Sequence, residues 1–564
     1  MDAYLKQRAE LIASERALRP GHARIQQASE AELKAEQIVR KIRADEAHSI
    51  WHSENPDFRA LFREASKEQM AEPNDDSART TADEWGVEHP EVVNLFPGMA
   101  FLTARKIIEN TKLYKIVQKM PKGGILHSHL DSTVDVDFAL SLAVKQPGMH
   151  ISVPEPVTAN NVESILPQFR QMASSFKADA TDVSHAAYAA ETWVPYAAAR
   201  QSFSSSLGGP AGFDAWVRST MKIDPNEAYT KYNSHRKMWD KLRNTFYVSN
   251  GLLRSIPIFT QYIKEYFWAS IADGISYVEP RVNFLFKAMW SAEGEQNVTH
   301  REFVALFGRI IDEVKAELKE QGREGEFVGA KIIYTTIKII TPEEMEWYFD
   351  ECIALKQEFP QLIAGFDLVG PEDFVKPLKY YAEGLLRFRK RIDDLGLDLP
   401  FILHAGETLG DGDEVDDNLY DAILLDTKRI GHGFSLVKHP LLMDTCKKRG
   451  IPLEICPISN ELLRLTSSMP AHPMPMLIAH GIEVVVSNDD PGAFGNLGLS
   501  YDFFQVLVAS EVTGLLGVGV IARRSLEASM LEADRKAKAL ASWDARWAEF
   551  VDWINKEYGH LLDK

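Results

Sequence analysis

Cysteine is almost absent from this chain. Only Cys352, Cys446 and Cys456 occur among 564 residues. An odd, widely spaced set excludes a disulfide framework. Long apolar runs are also missing, and no segment approaches the ~18 uninterrupted apolar residues of a membrane span. The first twenty residues, MDAYLKQRAELIASERALRP, are charged and lack the apolar stretch of a signal peptide. Basic residues are in deficit, with 63 Lys+Arg against 81 Asp+Glu and a net charge of −18. Such a balance lacks the basic stripes that a nucleic-acid partner requires. There is no P-loop and no internal repeat. The expectation is a soluble, cytoplasmic protein with no membrane or nucleic-acid partner. The single Asn-Val-Thr sequon at Asn297 is expected by chance.

What is present is a chain 45% hydrophobic and long enough for one large domain with additions. Residues 1–60 read as charged helices. Pro20-Gly21 breaks the first, and Ser29-x-x-Glu32 is a capping box opening a second that runs towards His48. Residues 71–98 read as loop, with Pro73, Asn74, Asp75, Pro90 and Pro97, and a helix is expected over 100–119. From Lys122 onward short β-rich runs alternate with helical stretches. The runs are 124–129, 275–280, 327–334, 362–368, 399–404, 429–433, 451–456 and 483–487. Eight is the number that closes a (β/α)8 barrel. The expected fold is therefore α/β, a TIM barrel over 104–564. An N-terminal helical extension covers 1–103, and 134–224 is an insertion after strand 1. Within that insertion the Ser- and Gly-rich stretch 202–212 reads as loop.

Several of these runs end in residues that carry chemistry. His127 and His129 lie two apart on a strand and so face one side, where both imidazoles can share a metal. His404 adds a third nitrogen. Glu407, three residues on, can lie beside the metal without binding it and act as general acid or base. Asp489-Asp490-Pro491 ends the last run. Two adjacent carboxylates need a cation or distinct partners, and one on the metal with its neighbour on a substrate N–H satisfies both. His432, between Gly431 and Gly433, can orient or deprotonate a water. Three histidines and one aspartate can hold a metal and still leave a further position open for water, as a catalytic zinc requires. A metal in such a site lowers the pKa of water from roughly 15.7 to about 7.

These residues sit in stretches that resemble the adenosine deaminase family, and most the adenosine deaminase-related growth factor branch. The stretches are Met-Pro-Lys-Gly-Gly-Ile-Leu-His-Ser-His at 120–129, Tyr-Val-Glu-Pro-Arg at 277–281, Gly-Phe-Asp-Leu-Val-Gly at 365–370 and His-Ala-Gly-Glu-Thr at 404–408. They continue with Arg-Ile-Gly-His-Gly at 429–433, Glu-Ile-Cys-Pro-Ile-Ser-Asn at 454–460, Ser-Asn-Asp-Asp-Pro at 487–491 and Leu-Ser-Tyr-Asp-Phe at 499–503. The resemblance runs from about Ala104 to the C-terminus. The long N-terminal region and the insertion are what point to the growth-factor branch.

The resemblance implies a barrel holding one Zn2+, with His127, His129, His404 and Asp489 as ligands. It implies that Glu407 protonates N1 of a purine, that His432 generates and steers the hydroxide attacking C6, that Asp490 bonds N7, and that the backbone N–H of Gly370 meets N3. Asp489 thus serves both the metal and the catalytic group. Asp131 and Trp239 are expected beside the ribose, Trp239 alternatively as a buried core aromatic. The implied reaction converts adenosine or 2′-deoxyadenosine to inosine or deoxyinosine and ammonia, and a homodimer through the N-terminal helices is implied. Asn488 stands where Ser or Thr is usual. Relatives of the branch are secreted with a disulfide in the insertion, whereas no cysteine lies between 134 and 250 here. The competing expectations are a deaminase of a 5′-substituted adenine nucleotide such as AMP, another metal amidohydrolase, and a growth-factor-like interaction protein. For a phosphate, Arg281 and Lys331 are the basic residues on or beside barrel strands.

Overall fold

The computed structural model describes residues 1–51, 56–70, 81–82, 88–89 and 97–563. The loop expected over 71–98 falls outside these except at a two-residue antiparallel pair, Thr81–Ala82 with Glu88–His89, and at Pro97 and Gly98.

Eight short parallel strands form a ring. β1 (Gly123–Ile125) pairs with β2 (Ile275–Val278), and β2 pairs with Gly329–Ala330 at the entry to β3 (Ile332–Ile337). β3 pairs with Arg281–Asn283 on one side and β4 (Ile363–Val369) on the other. β4 meets the start of β5 (Leu403–Ala405) where Phe366 N–H donates to Pro400 at 2.9 Å and Ile402 N–H to Phe366 at 3.0 Å. β5, β6 (Ile430–His432), β7 (Leu453–Ile455) and β8 (Val484–Val486) follow in parallel register. The ring returns to β1 where Asp489 N–H donates to His127 at 3.2 Å and His129 N–H to Asp489 at 3.0 Å. All eight runs expected from the sequence appear at their places. β3 extends three residues beyond its expected end at Tyr334. Most of these residues are fully buried, which is why the runs are apolar throughout rather than alternating.

Between β1 and β2 lie the helix Val136–Lys145 and a three-stranded antiparallel sheet (Gln168–Gln171, Met149–Ser152, Val194–Pro195). The helices Gly209–Met221, His235–Leu253 and Ile256–Ala272 follow. The loop expected over 202–212 is only partly one. A helix begins at Gly209, because Pro210 in its first turn lacks only a donor that would be unpaired anyway, and Phe213, Trp216 and Val217 supply a buried face.

Two of the N-terminal helices differ. Asp2–Ala17 buries none of its side chains. Glu30–Glu46 opens with the expected capping box and continues through His48 as the π-helical turn Ala47–Trp51. It buries Ala35, Ile38, Val39 and Ile42 at helical spacing. Its partner is the C-terminal helix Ala533–Tyr558, from which Trp547 donates to Glu32 at 2.9 Å and Asn555 to the Ala31 carbonyl at 2.9 Å. The helix expected over 100–119 is two, Phe101–Ile108 and Lys112–Lys119. Thr111 turns extended (φ −80, ψ 148), and its hydroxyl accepts from Tyr114 N–H at 3.0 Å, recapping the chain.

Candidate active site

The predicted side chains follow the C-terminal ends of the strands, the face on which barrel enzymes build their sites. His127 and His129 follow β1, Gly370 follows β4, and His404 and Glu407 belong to β5 and its exit. His432 ends β6, and Asp489 and Asp490 follow β8. His432 (φ 61) and Asp489 (φ 59) are in the left-handed region without being glycine. Each such residue costs on the order of 1–3 kcal/mol, and here the twist aims the side chain into the barrel axis. Gly431 keeps its place for a steric reason, since a Cβ there would stand 3.0 Å from the His127 ring.

The structure brings the four expected ligands together. The ring nitrogens of His127, His129 and His404 lie within 4.8 Å of one another. Asp489 Oδ1 is 3.3 Å from His127 Nε2 and 3.2 Å from His129 Nε2. His127 Nε2 and Asp489 Oδ1 are buried with no hydrogen-bond partner. Two enclosed groups left unpaired are costly unless a cation joins them, and three imidazoles with one carboxylate suit a divalent transition metal. The donor set fits that group. Cys456 also lies within 4.8 Å of His127 and His432. Burial pushes its thiol well up, which disfavours the thiolate a metal needs.

Of the residues that orient these ligands, only Arg281 carries an individual role in the sequence reading, as a candidate for a phosphate. His127 Nδ1 bonds Glu454 at 2.8 Å, and His404 Nδ1 bonds Asp367 at 2.7 Å. Each carboxylate accepts the Nδ1 proton and leaves Nε2 as the donor to a metal. Arg281 donates to both carboxylates at 2.7 Å, and Arg429 ties Glu454 to Glu279 at 2.6 Å. Burial opposes the charge on Glu454, but Arg281 and Arg429 outweigh it and hold the carboxyl well below its usual range. Ser459 Oγ donates to Asp489 Oδ2 at 2.7 Å. Glu372 accepts from Glu407 N–H at 2.7 Å and fixes the turn that presents it. A signal for them existed. Glu454, Asp367, Glu279, Arg281 and Arg429 are charges inside or beside apolar strands, and buried charges occur in partnered sets.

Glu407 and His432 lie side by side, with Oε1 3.4 Å from Nε2, and His432 Nε2 is 3.9 Å from Asp489 Oδ2. Burial first, then the carboxylates of Asp489 and Glu372, pushes Glu407 well above the usual range. Burial pushes His432 well below 6.5 and His404 down to about 3. Burial, Asp489 and Asp131 push the Asp490 carboxyl well above its usual range. Burial opposes ionisation of Asp489, but the neighbouring His432, His127 and His129 rings more than offset it. Adjacent carboxyls are thus driven in opposite directions. Asn488 points away, donating to the Gly498 carbonyl at 2.8 Å, and displaces no ligand.

Above this floor is a cavity of about 670 Å³. His129, Asp131, Trp239, Gly370, His404, Glu407, His432, Asp489 and Asp490 all line it, while His127 stays buried beneath. Trp239 is both things expected of it, 7% exposed and on the cavity wall, its Nε1 donating to His235 Nε2 at 3.2 Å. The two basic residues considered for a phosphate are occupied elsewhere. Arg281 is in the buried network, and Lys331 binds Glu532 at 2.5 Å and the Met530 carbonyl.

A family model described as adenosine deaminase matches residues 220–545. The chain belongs to the adenosine deaminase family. As a member of this family of metal-dependent enzymes, it is similar to adenosine deaminase 2-A of Danio rerio, 31% identical over 459 residues covering 81% of this chain and 84% of that protein. It is also similar to adenosine deaminase 2 of Homo sapiens, 30% identical over 458 residues, 81% and 83% of the two chains. The fold resembles adenine deaminase from Arthrobacter aurescens (18% identity, TM-score 0.50, 76% of this chain and 99% of that one). It also resembles Arabidopsis ADAL complexed with IMP (15% identity, TM-score 0.51, 77% and 99%). The family match begins beyond β1, so it is the closed ring of strands that joins His127 and His129 to the matched motifs. No helix among the described residues is long and apolar enough to cross a membrane.

Proposed function

We propose that this enzyme hydrolytically deaminates adenosine and 2′-deoxyadenosine to inosine and deoxyinosine with release of ammonia, using one zinc ion per chain. The observation that carries the reading is the placing of Glu407, His432 and Asp490 on a nucleoside-sized cavity beside the His127, His129, His404 and Asp489 cluster, with burial pushing both the Glu407 and Asp490 carboxyls well above their usual range. A purine presents acceptors at N1 and N7, and only protonated carboxyls can donate to them. His127, His129, His404 and Asp489 would hold the zinc, which supplies Lewis acidity and makes hydroxide available from water near neutral pH.

The chain's own groups do the rest. Glu407 donates its proton to N1, which makes C6 electrophilic. His432, 3.4 Å from Glu407, accepts a proton from the incoming water and directs its oxygen to C6. Asp490 holds N7 and the Gly370 N–H meets N3, which sets the ring edge-on to the floor. On collapse the C6 amine takes up the proton His432 received from water and leaves as ammonia, while the C6 hydroxyl returns a proton to Glu407 and becomes the C6 carbonyl. Asp131 and Trp239 face the sugar from the cavity wall.

The test is loss of adenine absorbance with adenosine or deoxyadenosine and zinc-loaded protein. Failure to turn over either nucleoside would overturn the reading. We place the enzyme in the cytoplasm, supported by three cysteines that are all buried and unpaired. We also place a homodimer contact on the N-terminal helices, supported by Leu5 and Leu11, which are exposed on a helix that buries nothing in its own chain.

A further inference from the structure

The cavity has two chemistries. Its floor is acidic, while its wall carries two arginines, Arg243 and Arg254. Arg243 is paired with Asp240. Arg254 has no carboxylate partner among the described residues. Its guanidinium carbon lies 4.0 Å from the Phe286 ring centroid and 4.6 Å from that of Trp290. Nη2 donates to the Ala288 carbonyl at 3.0 Å, and Nε is enclosed with no partner among the described residues. Two aromatic faces orient the cation without neutralising it. Burial, reinforced by Arg170, pushes its pKa down to about 10, a destabilisation of the charge that a bound anion would relieve. A fixed guanidinium with unused N–H groups is the natural receptor for a planar or tetrahedral oxyanion.

Its place in the ring says what carries that anion. On the deaminase reading, Glu407 beyond β5 takes N1, Gly370 beyond β4 takes N3 and Asp490 beyond β8 takes N7. Those three edges turn N9 and its sugar towards the remaining sector, from β1 to β3. Asp131 after β1 and Asn283 before β3 line the cavity there, and Arg254 stacks on Phe286 in the same β2–β3 connection. We infer that the cavity takes adenine nucleosides bearing an anionic group, phosphate or carboxylate, at the 5′ end, with Arg254 as its receptor. This rests on the deaminase reading and narrows its substrate class.

The experiment compares adenosine, AMP and adenosine-5′-carboxylate as substrates of the zinc-loaded enzyme at low and high salt. At least one 5′-anion is expected to exceed adenosine in kcat/KM by tenfold or more at low salt. That advantage should shrink as salt screens the contact, and the two anions tell phosphate from carboxylate. Arg254→Met should lower the anion-to-adenosine ratio at least tenfold, and Arg254→Lys, which keeps the charge without the fork, should fall between. Turnover of adenosine with neither anion preferred in the wild-type enzyme would overturn the inference while leaving the deaminase reading intact. So would a ratio unchanged in Arg254→Met. Turnover of none of the three would overturn both. Should Arg254→Met fail to fold, the wild-type ratio and its salt dependence decide alone.

Discussion

The floor of the cavity and its wall are built on opposite plans. The floor is a lattice of buried charges. His127 and His404 are each oriented by a carboxylate, and Arg281 and Arg429 neutralise those carboxylates in turn, all at or near zero exposure. The wall is one stripe of the helix His235–Leu253, from Trp239 through Phe246 to Asn250, together with Arg254 on its aromatic pair. It rests on packing and on single hydrogen bonds. The difference follows from what each must do. Ligand geometry has to be held to a fraction of an ångström, which strand ends locked by ion pairs achieve. A wall that sets substrate class can be recut by changing one side chain.

The sharpest way to break this contrast is to remove a ligand. His127→Ala should lose its metal and its activity together, while the fold, read by circular dichroism, persists. A variant retaining one zinc per chain would show that the donor set is wrong. Glu407→Gln should keep the metal yet lose on the order of 10²–10⁴-fold in kcat, the usual worth of a general acid. Equal loss of zinc would instead make Glu407 a ligand. Glu454→Gln strips a charge from between Arg281 and Arg429. It should cost about 3–5 kcal/mol in chemical denaturation, as breaking a buried pair does, and a shift under 1 kcal/mol would deny the network its structural role.

Smaller effects lie around Glu461, in the short helix that follows β7. Glu461 accepts from Phe101 N–H at 3.0 Å and from Tyr229 OH at 3.2 Å, and burial raises its pKa from 4.5 to about 7. The folded state therefore binds this proton more tightly than the unfolded chain. The contribution is full below pH 4.5 and is lost as pH rises to about 7, roughly 3 kcal/mol at ~1.4 kcal/mol per unit. Glu461→Gln should flatten stability against pH across that window, and an unchanged slope would assign it to other groups. Smallest of all, deleting residues 2–17 should alter monomer stability by no more than about 0.5 kcal/mol, the range of changes outside the core. The same deletion should shift the mass in light scattering if the dimer uses this helix.

Much of the barrel was legible because parallel strands buried on both faces must be short apolar runs, and eight such runs are spaced by helices. The helix over 100–119 was misread as continuous because Thr111, an unremarkable residue by propensity, becomes a cap only when its neighbours pack. The stretch 202–212 was misread because Ser and Gly signal a loop locally, while Phe213 and Trp216 pull the chain into a helix from beyond it. At the site, the ligand types and their strand-end positions stood in the sequence, as did the Glu407 and Asp490 candidates.

The sequence by itself determined the periodicity, the strand count and the inventory of donors, since each depends on residues a few positions apart. Only the tertiary structure decided which carboxylate orients which histidine, that Arg281 is consumed in the floor while Arg254 has no carboxylate partner among the described residues, and that the Asp489 and Asp490 carboxyls are pushed in opposite directions. Those outcomes depend on burial and on charges brought within 3–4 Å from more than a hundred residues away, such as Glu454 on His127, and closure of the ring is what puts them there.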